Sequence, residues 1–583
     1  MLSMNTTLCL LALFSISQSR VITIEEFGGK PDSQISTDNE PIHHPEFLHS
    51  SLKNNPSPYD LSRIKHHRAK ANDDDLIEQA VENTNAYNLA LKAAYPGDRI
   101  LLLENESYTF IGGIQGINLR NIVLDFAGYT RFIYDLDNWP TRSYTGGSQD
   151  KKETEFVPAI DILDCSGIII TCSSKNKPIV SVDWEKNEIY IEPESGSGGM
   201  IDGHGKKWWD SAILGDIEVE SRPRLIDVRG SMNITVEYVT LVNSPYWTLT
   251  LEAIGGEVHH VNVMVDRNYQ RQLINNTMVD YFWKERESLN RRGDGDYVQE
   301  ARQLRKGKPS LNFHFPDILP DWVLQPQNLN TDGIDPIGQD IYIHDCIVLN
   351  DDDSVAVKPP RNGRHGSVMN GTIPYKCTSN ITIENMVLTG FGASVGSVGA
   401  MDSHPCVDNV RFKNIKMPGT GKGIYIKSNK SNCNGNVSSS ITNIVYDDVY
   451  IKQPVWWPIW IGPQQQHEPH NALGGDCALD YPIGSITCPT QGCSTFENIT
   501  LRNIVIEDPL LSPGVILGNS SNPMKNIAFE NVTMTVPYKY YLTHGRLPFH
   551  TKWFPFTGRY KCQHTQGTCK DCNPVPDCFE VLK

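Results

Sequence analysis

Short stretches of alternating apolar and polar residues, each opened by Asn or Asp, recur along most of the chain. They read Asn233-Ile-Thr-Val, Asp340-Ile-Tyr-Ile, Asn380-Ile-Thr-Ile, Asn409-Val-Arg-Phe, Asn443-Ile-Val-Tyr, Asn498-Ile-Thr-Leu and Asn526-Ile-Ala-Phe. Neighbouring copies lie 28, 29, 34 or 40 residues apart, with wider gaps where chain is inserted. Alternation at period two marks strands, and β-branched strands at this spacing without intervening helices predict a β-solenoid. Each coil buries Ile and Val and pairs its backbone with the coils above and below. Asn and Gly at the corners supply left-handed backbone geometry. A β-propeller would need about four strands per repeat with blade-specific glycine or Trp-Asp signatures, which the chain does not show.

The pattern changes toward both ends. Val21 to Phe27, followed by Gly28-Gly29, predicts a strand and a turn. Residues 83–94 have helical apolar spacing through Ala86, Leu89, Ala90 and Ala93, and Pro96-Gly97 ends it. A helix there would cover the open end of the solenoid. The expected organisation is an N-terminal cap region over 20–115 with a polar insertion at about 31–75. The parallel β-helix follows over 116–537, with a charged insertion at about 267–327, and then a Cys-rich tail over 538–583.

The net charge of −16 argues against a nucleic-acid partner, which needs a basic surface. It leaves room for an acidic polysaccharide, because a basic cleft can sit on an acidic body. Leu8 to Ile16 is a short apolar run followed by Ser17-Gln18-Ser19, the pattern of a secretory signal over 1–19. No later segment approaches a membrane span, so no membrane partner is expected and the product should be a secreted monomer. Of 14 cysteines, Cys9 would leave with the signal, and an odd 13 would remain. Cys562, Cys569, Cys572 and Cys578 crowd the end; disulfides suit a secreted chain, with zinc at Cys569-x-x-Cys572 the alternative. Beyond the signal-like segment, Asn-x-Ser/Thr acceptors at ten positions, Asn105 and Asn233 among them, point to a glycosylated surface.

Five motifs occur in order: Gly199-Met-Ile-Asp-Gly-His-Gly-Lys-Lys-Trp-Trp209, Arg222-Pro, Asn243-Ser-Pro-Tyr-Trp247, Asn330-Thr-Asp-Gly-Ile-Asp335 and Asp352-Asp353. Together they resemble the landmarks of glycoside hydrolase family 28, the polygalacturonase and rhamnogalacturonase-like pectinases. The likeness runs from about Phe27 to Val536, minus the insertions. It implies an all-β, single-stranded, right-handed parallel β-helix and hydrolysis of a uronic-acid-containing polysaccharide, with no cofactor or metal. By this resemblance Asp352 is the general acid, while Asp332 and Asp353 position and deprotonate the water.

The residues support that reading on their own terms. Asp332 and Asp353 are 21 residues apart, close to one coil, and equivalent positions on adjacent coils stack at about 4.8 Å. Clustered carboxylates repel, so one pKa rises and that group can hold a proton while the others stay ionised. Consecutive residues of a strand face opposite ways, so Asp352 and Asp353 act together only at a bend, which Asn350-Asp351 suggests. A solvated corner or a Ca²⁺ site is the structural alternative.

Two departures from the family bear on substrate. Phe391 stands where the family has the histidine of Gly-His-Gly, and the family's Arg-x-Lys appears as Tyr425-Ile-Lys427. Lys427 is expected to grip a carboxylate or hydroxyl, with Tyr425 and Phe391 offering stacking faces. Asn330 and Lys358 are further candidates for substrate contact, although Lys358 also suits an external ladder. Trp456-Trp457-Pro-Ile-Trp460 with Gln464 to His467 suits either a sugar platform or core packing. Trp208 and Trp209 read as structural, and His344 and His404 as surface residues. Other functions compatible with a β-helix are a Ca²⁺-dependent polysaccharide lyase and a non-catalytic glycan-binding protein.

Overall fold

A computed structural model describes residues 19–34, 71–145, 152–186, 188–192, 198–271, 273, 329–361, 375–429, 437–454, 457–464, 490–509, 513–535 and 559–583. The signal-like run, most of both insertions, Trp456 and residues 465–467 lie outside them.

The repeats form a parallel β-helix. One wall stacks Ile160–Leu163, Ile226–Glu237, Leu249–His259, Ile334–His344, Val355–Val357, Ala393–Val398, Ile424–Ser428, Ile459–Ile461 and Gly514–Leu517, every neighbouring pair parallel. In register through it run Ile226, Leu249, Ile334, Val355, Ala393, Ile424 and Ile459, all wholly buried. Each Ile, Leu or Val of this row contributes roughly 1.5–3 kcal/mol of burial. A second wall continues through Cys377–Leu388, Cys406–Pro418, Ser439–Lys452, Ser494–Glu507 and Met524–Thr535.

The Asn or Asp that opens each repeat is a corner residue. All seven have φ between 52° and 58°, a left-handed conformation that Asn and Asp tolerate better than other side chains. Their amides form an external ladder: Asn380 donates to Asp340 at 3.0 Å, Asn409 to Asn380 at 2.7 Å, Asn498 to Asn443 at 3.0 Å and Asn526 to Asn498 at 3.1 Å.

The parallel pairing extends beyond the expected 116–537 at both ends. Val21–Thr23 pairs with Arg99–Leu102, and Thr565–Lys570 pairs with Phe579–Val581. Strands of three to six residues carry too little alternation to stand out in the sequence. In the tail, Cys562 bonds Cys578 and Cys569 bonds Cys572, so these four form disulfides rather than a zinc site. Cys377–Cys406 joins in-register partners on adjacent coils, and Cys165, Cys172 and Cys346 are buried thiols.

The helix is longer than its apolar spacing predicts, Ala71–Ala93. Leu89 is exposed, and the buried face is Gln79, Ala80, Asn83, Thr84, Ala86, Tyr87, Ala90 and Leu91. Polar residues sit on that face because they satisfy coil backbone. Asn83 donates to the Thr109 carbonyl at 3.0 Å, and the Thr84 hydroxyl donates to that of Ile111 at 2.7 Å. Two antiparallel hairpins, Thr141–Thr145 with Lys152–Phe156 and Ile179–Asp183 with Glu188–Glu192, were not foreseen.

Candidate active site

Asp332, Asp352 and Asp353 converge at the entry to the first wall. A carboxylate oxygen from each lies within 4.8 Å of the others, and all three are buried. The Gly333 amide donates to the Asp353 carbonyl at 2.9 Å, so Asp332 and Asp353 occupy adjacent coils as their spacing predicts.

The bend between Asp352 and Asp353 is built by Asn350. Its Nδ2 donates to the carbonyls of Thr331 (2.9 Å) and Asp353 (3.0 Å), and its Oδ1 accepts from the Ser354 hydroxyl at 2.8 Å. The amide of Asn350 donates to Thr389 Oγ1 at 3.0 Å, which ties in the next coil. Gly390 packs directly on this bend. Its φ is 48°, and a Cβ there would stand 2.1 Å from the Asp352 carbonyl oxygen.

The environments of the three acids differ. Burial pushes Asp352 well above the usual carboxylate range, and the charges of Asp332 and Asp353 push it further. Its Oδ1 accepts the Asp353 amide at 2.8 Å, while its Oδ2 has no hydrogen-bond partner among the described residues. A buried unpaired anionic oxygen is costly, which favours the protonated form of this carboxyl. Burial would raise Asp353 too, but Lys427 and Lys358 beside it hold it below the ordinary value. Lys427 Nζ donates to Asp353 Oδ2 and Ser394 Oγ to Oδ1, both at 2.7 Å. Asp332 is raised by burial, with Lys358 opposing; Lys358 Nζ donates to its Oδ2 at 2.9 Å.

Lys358 therefore faces the acids, also lying 3.6 Å from Asp353 and 3.7 Å from Asp335, and does not belong to an external ladder. Asp335 joins the cluster unforeseen. Both its oxygens are buried without a hydrogen bond among the described residues, and burial raises its pKa well above normal. Its position three residues past Asp332, at the start of Ile334–His344, was the available signal. The half-buried Asn330 accepts from Arg222 at 3.4 Å. Arg222 is itself buried, which lowers its pKa to about 10.

The expected stacking faces are not open. Tyr425 is 1% exposed and Phe391 5%, and the two rings meet edge to face at 6.1 Å. The ammonium groups of Lys422 and Lys427 lie 3.7 and 4.0 Å from the Tyr425 ring centroid. Trp457 and Trp460 are buried as well, so at these two positions core packing replaces the platform. Trp208 and Trp209 are wholly buried, His404 is exposed, and His344 pairs with Asp345 and Glu257 on the outer face.

The three carboxylates could accept a cation, but Lys358 and Lys427 already take oxygens of Asp332 and Asp353. Ca²⁺ takes about six to eight oxygen ligands, a shell that two ammonium groups at the same oxygens oppose. A protonated acid beside a lysine-clamped carboxylate instead suits proton transfer at a bond being hydrolysed.

The model of glycosyl hydrolases family 28 matches residues 163–280 and 310–536, more than half of the chain and every acid of this cluster. The chain belongs to that family. It is a glycoside hydrolase. Exopolygalacturonase X-1 of Emericella nidulans is 23% identical over 472 residues, 77% of this chain and 79% of that protein. An endo-polygalacturonase of Pectobacterium carotovorum is 25% identical over 351 residues, 58% of this chain and 61% of that enzyme. The structure of the family 28 exopolygalacturonase of Yersinia enterocolitica superposes with a TM-score of 0.52 at 11% identity. That superposition covers 97% of this chain and 78% of the other, a likeness of fold.

Proposed function

We propose that this glycoside hydrolase acts outside the cell as a monomer on a pectin-like, uronic-acid-containing polysaccharide, cutting the glycosidic bond with inversion. The observation that carries the mechanism is the split between Asp352, whose burial and neighbouring carboxylates favour the protonated form, and Asp353, whose ionised form Lys427 favours. Asp352 protonates the leaving oxygen. Asp332 and Asp353 hold and deprotonate the attacking water. The polygalacturonase relatives support an anionic substrate. Extracellular action rests on the Leu8–Ile16 run and its small-x-small site; among the described residues no helix is long and apolar enough to cross a membrane.

Incubation with galacturonan, rhamnogalacturonan and xylogalacturonan, read by new reducing ends, tests the reading. Activity in EDTA on at least one of them is expected. A product with the short-wavelength ultraviolet absorbance of a conjugated unsaturated uronate would instead reveal a lyase.

One observation favours a second reading. The oxygens approach within 4.8 Å, nearer the carboxyl separation of about 5–5.5 Å in retaining enzymes than the ~6.5–9.5 Å of inverting ones. That figure is a closest approach of oxygens, and carboxyl groups turned partly apart stand further away. Both Asp353 oxygens also carry hydrogen bonds, a poor state for a nucleophile.

Lys427 sets the ionisation of Asp353 more than it meets substrate, since it is 2% exposed and bonded to that carboxylate. Lys427→Met should raise the pKa of Asp353. The base would then be protonated over more of the acid range, and the acid limb of the kcat/KM profile should move to higher pH. The basic limb, set by Asp352, should move less.

A further inference from the structure

On the coils that precede the acids, the outward side of the first wall is polar and charged, yet out of water. Asp161, Asp227, Thr250 and Asp335 form one register row along the solenoid, and Asp335 shares the coil of Asp332. All four are buried, and so are Arg229 and Glu252 beside them. Charged side chains are seldom buried unless they are paired, and an open groove would leave such a row solvated.

Two elements cover the row. After Val355–Val357, residues 358–361 run back across the wall. The Lys358 amide donates to the Pro336 carbonyl at 3.1 Å, and its ammonium stands 2.9 Å from Asp332 and 3.7 Å from Asp335. Arg361 then donates to Asp227 at 2.8 Å, two coils before that of Asp335, and stands 3.9 Å from Glu252 on the coil between. Further back, the hairpin of Thr141–Thr145 and Lys152–Phe156 lies on the wall. Its Arg142 donates to Glu155 within the hairpin at 2.6 Å and to Asp161 on the wall at 3.3 Å. Removing one partner of a buried ion pair is strongly destabilising, so a sugar cannot easily push the strap at 358–361 aside.

We infer that this strap closes the substrate groove on the side of the preceding coils, so that the enzyme attacks a uronan at a chain end rather than within the chain. This rests on the uronan-hydrolase reading. Asp332 and Asp353 are stacked along the solenoid axis, so a bound chain continues along that axis over neighbouring coils. From the coil of Asp332 to that of Asp227 is two coil rises, about 9.6 Å, room for roughly one or two sugar rings before ion pairs fill the groove.

The test digests whichever of galacturonan, rhamnogalacturonan and xylogalacturonan the enzyme opens, as a long polymer, following viscosity together with the mass spectrum of the products. Wild type should release products of roughly one or two backbone sugars from the start, without intermediate lengths, while viscosity falls slowly. An early ladder of oligomers with a steep loss of viscosity overturns the proposal. Arg361→Ala removes the far anchor of the strap and leaves Asp227 with Arg224 and Arg229, at 3.4 and 3.5 Å. It should shift the early products to greater length. Wild-type product lengths from folded Arg361→Ala would take the closure away from the strap and overturn the proposal as well. If Arg361→Ala does not fold, the wild-type product lengths decide. Failure of the underlying reading looks different, because no uronan would then gain new reducing ends.

Discussion

Asp352→Asn should lower kcat by about 10²–10⁴-fold while leaving KM and the fold near wild type. The amide is close in shape to the carboxyl group and keeps an oxygen to accept the Asp353 amide, now at 2.8 Å. Asn places no charge at a position that burial and two neighbouring carboxylates already keep neutral, so stability should change little. What disappears is the proton for the leaving oxygen. The pH profile offers a second reading of the same change. In wild type, activity falls as pH rises through the raised pKa of Asp352, because the acid is lost. In Asp352→Asn that basic limb should vanish from the residual activity. Turnover within threefold of wild type on a confirmed substrate would remove Asp352 as the acid.

Asp227→Asn should cost about 3–5 kcal/mol of stability, the usual penalty for leaving buried charges without a partner. Asp227 is wholly buried on the same wall, in register with Thr250 and then Asp335. Arg361 donates to it at 2.8 Å, and Arg224 and Arg229 approach to 3.4 and 3.5 Å. Burial alone would raise its pKa, but these guanidinium groups hold it far below the ordinary range. The folded value therefore lies below the unfolded value of about 3.9. The stabilisation is complete above the unfolded value and is lost as pH falls through the folded one. The urea midpoint of Asp227→Asn should thus drop at neutral pH, and the difference from wild type should narrow in strong acid. A midpoint unchanged at pH 7 would show that the arginines find other partners.

The solenoid was legible because its corners are chemically marked. Asn380, Asn409 and Asn498 combine a backbone geometry few residues accept with a side chain that bonds its neighbour on the next coil. The three acids were legible because coil spacing turns 21 residues of sequence into adjacency, with Asn350 at the bend. Side-chain environment was harder to read. Tyr425 and Phe391 look like stacking faces in sequence, yet Lys422, five residues before Lys427, turns them into a buried box. Asp335 was missed because an acid inside a strand reads as outward-facing, whereas this wall is covered. Leu89 was placed on the buried face because apolar spacing ignores hydrogen bonds, and Asn83 and Thr84 won that face by making them.

The configuration of the first product tests the account most directly. Proton NMR of an early digest of a confirmed oligouronide records the anomer released before mutarotation. With Asp352 as acid and Asp332 and Asp353 acting on water, the new reducing end should carry the anomeric configuration opposite to that of the bond cut. A first product of unchanged configuration would mean that a carboxylate attacks the sugar directly. An unsaturated end would mean that the bond is not hydrolysed at all.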